Sequence, residues 1–125
     1  MSRDEMIQHW RKGAQDALEM AQLALTAQKY DHVLFNVHLA VEKALKSLYI
    51  REHGEDVPRT HDLAFIASLL SSAFSEDAVA FLRELSSFSV DARYHDPHWT
   101  GEYATQQHAR EWLQKAVAFL SPLFL

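Results

Sequence analysis

Apolar residues recur at three- and four-residue steps along most of the chain, and each such run predicts a helix. From about Arg3 to Gln28, Met6, Trp10, Ala14, Ala17, Leu18, Ala21 and Leu25 share one face. Gly13 interrupts that face, at a cost of about 1 kcal/mol against alanine in a helix interior. In "DHVLFNVHLAVEKALKSLYI" a stripe of Leu34, Val37, Val41, Ala44, Leu45 and Leu48 predicts a second helix, with Asp31 as its N-cap. Phe35 and Leu39 widen the stripe, so this helix is expected either at the centre of a bundle or against a second chain. Gly54 and Pro58 end it. A third helix is expected over "HDLAFIASLLSSAF" after Arg59 or Thr60. A fourth, "EDAVAFLRELSSF", follows, capped by Ser75 with Glu76 and Asp77 at its positive end. The last, "EYATQQHAREWLQKAVAFL", has Thr100 as its cap and Pro122 as its stop. Short connections favour antiparallel neighbours. The expected architecture is an all-α, up-and-down antiparallel bundle of about five helices, forming a single domain over residues 1–125.

Composition narrows this picture. Three glycines and three prolines are too few for the tight turns of an all-β domain. The absence of cysteine excludes disulfides, thiol nucleophiles and thiolate zinc sites. The opening "MSRDEMIQHW" is too polar for a signal peptide, and "LAFIASLLSSAF" is far shorter than the roughly 20 residues that cross a bilayer. The expectation is a soluble cytoplasmic protein with no membrane association. A net charge of −5 repels nucleic acid overall, so any nucleotide or RNA contact requires a local basic patch.

One stretch, "SVDARYHDPHWTGEY" (89–103), departs from amphipathic helix and is expected to be a polar loop before the last helix. Within it Arg93 and His98 are separated by four residues. Histidine suits proton transfer near neutral pH, and arginine suits bidentate contact with phosphate oxygens. On a continuous helix these two residues would point about 140° apart. Pro97 disfavours helical geometry at Asp96, so convergence requires a loop. His61, Asp62, His95, Asp96 and His98 are metal-ligand types but form no signature such as His-Glu-x-x-His. They are read as solvated residues, with no metal and no cofactor expected.

Three further features admit two readings each. His38, Glu42 and Lys46 form an i, i+4, i+8 row. It is either a structural histidine beside an ordinary Glu–Lys surface pair, or a polar row that faces Arg93 and helps define a phosphate pocket. Thr60-His61-Asp62 starts a helix, which accounts for Thr60 and Asp62 better than for His61. Arg93 either positions phosphate or pairs with Glu42 or Asp62. The terminal "PLFL" is hard to bury in a monomer and favours a subunit interface.

Taken together, "KYDHVLFNVHLAVEKALKSLYI", "PRTHDLAFI" and "ARYHD" resemble the HEPN domain family. The matching positions are Tyr30; His38, Ala40, Glu42, Lys43, Leu45 and Lys46; Thr60, His61, Asp62 and Leu63; and Arg93, Tyr94 and Asp96. His95 stands where the family usually has proline. The resemblance implies a helical domain that commonly forms homodimers, often beside a minimal nucleotidyltransferase in a prokaryotic toxin–antitoxin pair. It implies two activities. One is a nucleotide- or RNA-interacting module, with Arg93, Tyr94, His95, His61 and Lys46 as ligand-binding residues. The other is a metal-independent ribonuclease whose composite dimeric site uses Arg93 and His98. A third reading is a purely structural, partner-binding helical protein.

Overall fold

The computed structural model describes residues 1–54, 56–93 and 102–124, and the side chains of residues 1–54, 56–88 and 102–124. The described residues form helices α1 (Arg3–Thr26), α2 (Tyr30–His53), α3 (Leu63–Ser68), α4 (Glu76–Arg93) and α5 (Gln106–Phe124). The all-α bundle expected from periodicity is present.

Helices α1 and α2 make the central antiparallel pair. Arg3 reaches Ile50, Trp10 lies against Lys46, and Gly13 lies against Lys43, so contacts step along the two helices in opposite directions. The small face of α1 (Ala14, Ala17, Ala21) is buried and allows close approach of α2, whose Val33, Leu34, Val37, Ala40, Val41, Ala44 and Leu45 are fully buried. Phe35 and Leu39 pack against the same core. The broad apolar surface of α2 therefore reflects a central position in the bundle. Helices α4 and α5 close the other side through aromatic contacts. Trp112 stacks on Phe81 and meets Phe88 edge-on, with ring centroids 5.5 and 4.9 Å away, and Phe119 packs on both Phe81 and Phe74.

Several helix ends differ from the sequence expectation. Asp31 lies in the first turn of α2, and Lys29 occupies the cap position without a side-chain hydrogen bond. The chain reaches α2 through a tight stop to α1, in which Lys29 N–H donates to Ala24 O at 2.8 Å and Gln28 N–H donates to Leu25 O at 3.1 Å. This is a Schellman arrangement, and it places Gln28 in the left-handed region at φ 60°. A side chain there costs roughly 1 kcal/mol that glycine avoids. Gln28→Gly is expected to stabilise the protein by about that amount, read as a higher urea midpoint.

Helix α3 is short. Asp62 caps it by accepting from Phe65 N–H, and bonds from Leu69 N–H to Ile66 O and Leu70 N–H to Ala67 O tighten its end. The Ser71 amide and hydroxyl then donate to Glu52 at the end of α2, which turns the chain away from helix. These two donors hold the Glu52 carboxyl below its ordinary range, with a smaller contribution from His53. Ser75 caps α4 as expected, accepting from Ala78 N–H at 3.1 Å. Helix α4 continues beyond Phe88 to Arg93, so the first five residues of the expected polar loop are helical. Nothing in Ser89–Arg93 breaks a helix before Pro97.

At α5, Thr105 supplies the cap, accepting from His108 N–H at 3.2 Å; Thr100 lies outside the described residues. Pro122 sits inside α5 rather than stopping it. In the last turn a proline removes only one helical donor. The tail it leads into is seated on its own chain. Arg11 donates to Phe124 O at 2.7 Å and lies 5.1 Å from the centre of the Phe124 ring, while Leu123 and Phe124 pack against the core. Leu123 and Phe124 are thus packed on their own chain.

Candidate functional site

Midway along α2 the helix is packed against its neighbours on several sides, and polar residues on those sides are buried with it. His38, Glu42 and Lys46 are 2%, 4% and 6% exposed. The Glu42–Lys46 pair is therefore a buried one, and the expectation of an ordinary surface pair does not hold. Unpaired charges in such a place would be costly, and each of these finds a partner. Lys46 Nζ donates to Glu42 Oε2 at 3.1 Å, and the other carboxylate oxygen, Oε1, lies 2.7 Å from His61 Nδ1. His38 Nδ1 is 3.9 Å from the same oxygen, and its Nε2 is 3.2 Å from the backbone carbonyl of His61, to which it can donate. Lys46 Nζ also faces the Trp10 ring of α1, 5.5 Å from its centre.

His61 is thereby explained. It is gripped twice from α2, at its ring by Glu42 and at its carbonyl by His38, yet its side chain is 56% exposed. A carboxylate against Nδ1 fixes that nitrogen as the protonated one and leaves Nε2 directed elsewhere. This is the second-partner logic by which histidines are oriented for ligands or proton transfer. The result is a buried lysine–carboxylate–imidazole chain that meets solvent at one histidine ring.

The structure brings Lys46 and His61 together on Glu42 and joins His38 to them. Arg93 is the last residue of α4. That helix touches the His61 segment where Ser86 Oγ accepts from Leu63 N–H at 2.9 Å, and Arg93 follows two turns later, about 10 Å along the axis. Tyr94, His95 and His98 lie outside the described residues. Asp62 is committed to capping α3. Among the described residues no group of three or more histidine, aspartate and glutamate side chains is placed to hold a metal ion, and no helix is long and apolar enough to cross a membrane. Sequence reasoning did not find Trp10 as the cover over Lys46. Its only signal was position: Trp10 lies on the apolar face of α1, opposite the polar row of the antiparallel α2.

The family model described as HEPN domain matches residues 7–123, nearly the whole chain. The chain belongs to the HEPN family. A solved structure of the same size is similar to it: the crystal structure of TT1696 from Thermus thermophilus superposes with a TM-score of 0.79 at 28% identity, covering 98% of this chain and 99% of that one. No curated protein sequence matches it. Of the HEPN-like motif residues, His38, Glu42, Lys46 and His61 are those that form the buried network, while Thr60 and Asp62 serve the turn into α3.

Proposed function

We propose that this HEPN protein is a nucleotide- or RNA-interacting module that acts as a homodimer beside a nucleotidyltransferase partner, in a toxin–antitoxin type of pair. The observation that carries the ligand-binding part is the exposed imidazole of His61, anchored on the buried Glu42–Lys46 pair. Its orientation is set before any ligand arrives, so little ordering cost remains on binding. Arg93, Tyr94 and His95 are further ligand contacts that the family motif suggests, with the Arg93 guanidinium as a bidentate phosphate contact. The homodimer and the partner rest on membership of the family.

The test is calorimetric titration with ATP and with a short RNA. Arg93→Ala and His61→Ala are each expected to weaken binding by roughly 1.5–3 kcal/mol, the range for a hydrogen bond to a charged group. His98→Ala is expected to change it little. Circular dichroism checks that helicity is retained. RNA cleavage by the wild type in EDTA, lost in His98→Ala, would replace this reading with a metal-independent ribonuclease using Arg93 and His98. Stable partner binding with no affinity for either ligand would leave a structural role.

A further inference from the structure

Gly13 is costly in the middle of a 24-residue helix, and its neighbour on α2 shows what offsets that cost. The stem of Lys43 lies directly across it. A Cβ at Gly13 would come 2.9 Å from Lys43 Cδ and 3.3 Å from Lys43 Nζ. The missing side chain therefore makes a bed for the lysine and sets its ammonium over α1. Around it is a cleft of about 350 Å³ lined by His9, Trp10, Lys12, Gly13, Asp16 and Lys43. That is at the small end of the range for small-molecule sites, about 300–1,000 Å³.

The charges in this cleft do not cancel. Lys12 is paired with Asp16 at 3.0 Å. Glu42, the carboxylate nearest Lys43 in sequence, is bonded to Lys46 and His61. Among the described residues no carboxylate lies within ion-pair distance of Lys43. The cleft thus holds one uncompensated cation and an imidazole, His9, in a protein of net charge −5. It also presents a partly exposed indole. Trp10 is held from two sides, edge-on by the His9 ring with centroids 5.9 Å apart, and through its face by the buried Lys46.

We infer that the α1–α2 cleft is a binding site for a small phosphate-type anion, either free phosphate or a phosphate monoester. In it Lys43 is the charge contact, His9 a second donor when protonated, and Trp10 the wall. The site shares the Trp10 ring with Lys46 but does not include His61, and it does not rest on the function proposed above.

The experiment follows the Trp10 indole N–H in ¹H–¹⁵N spectra of the full chain during titration with inorganic phosphate, AMP and adenosine. Phosphate and AMP are expected to shift this signal saturably, and adenosine is not. Tighter binding of AMP assigns the ester as ligand, and equal binding assigns free phosphate. Lys43→Gln is expected to weaken binding about tenfold or more, as loss of a charged hydrogen bond does. Gly13→Ala separates binding from folding. The Lys43 stem, with Cδ 2.9 Å from the new methyl group, has to shift, so affinity is expected to fall while circular dichroism shows helicity retained. No shift at millimolar phosphate or AMP overturns the inference. So does equal binding of adenosine, or undiminished binding by Lys43→Gln.

Discussion

Glu42→Ala is expected to lower stability by about 3–5 kcal/mol, the cost of stranding a buried charge without its partner. The carboxylate holds Lys46 at one oxygen and His61 at the other, and Lys46 is only 6% exposed. Without Glu42 the lysine keeps the Trp10 ring, and a cation–π contact returns only about 0.5–2 kcal/mol. The lysine must then draw water into the helix pair. Replacing both ends by apolar residues of similar size, Glu42→Leu with Lys46→Met, removes the charges together. That double variant is expected within about 1 kcal/mol of wild type. Urea unfolding of the two single variants and the double variant measures this. A single variant as stable as wild type would mean that the pair is not buried in solution. Because the double variant keeps the fold and takes away the anchor of His61, it also tests whether ligand binding depends on that anchor.

Trp112→Ala is expected to cost a similar amount, about 3–5 kcal/mol, for a different reason. Trp112 is 5% exposed and stands where α4 and α5 meet, against Phe81 on one side and Phe88 on another. Its removal opens a cavity between two helices, bordered by the Phe81 and Phe88 rings that it touched. The aromatic pairs add about 0.5–1.5 kcal/mol beyond the area they bury. Trp112→Phe keeps most of the volume and is expected to lose less than half as much. Equal losses for the two substitutions would show that the volume is unimportant and that the indole's own contacts dominate.

The helices were legible because burial repeats with the helical period, and in α1 and α2 the apolar faces read from sequence are the faces that are buried. Their ends were less legible. Thr105 rather than an earlier threonine caps α5, Gln28 takes a left-handed position with no glycine to announce it, and Glu52 diverts the chain after α3 through a contact 19 residues away. The candidate site was legible as residue types and spacing. His38, Glu42 and Lys46 lie one turn apart, and that spacing carried over directly. Their burial was not readable, because it comes from elsewhere in the bundle: Trp10 of α1 lies over Lys46, and His61 lies against His38 and Glu42. Nor was the tie from Glu42 to His61, which joins a helix to a connecting segment. Gly13 was legible only as a defect, since its use depends on which α2 residue lies across it.

The double grip on His61 couples motions that would otherwise be independent. A short helix such as α3, at the end of a long connection, would ordinarily open and close by itself many times before the bundle unfolds. Here its entry is bonded at backbone and ring to the middle of the most deeply buried helix. Separating the two exposes a carboxylate, an ammonium ion and an imidazole at once. The segment from His61 through α3 is therefore bound into the cooperative unit of α2, and hydrogen exchange is expected to find its amide protons protected nearly as long as those of the core.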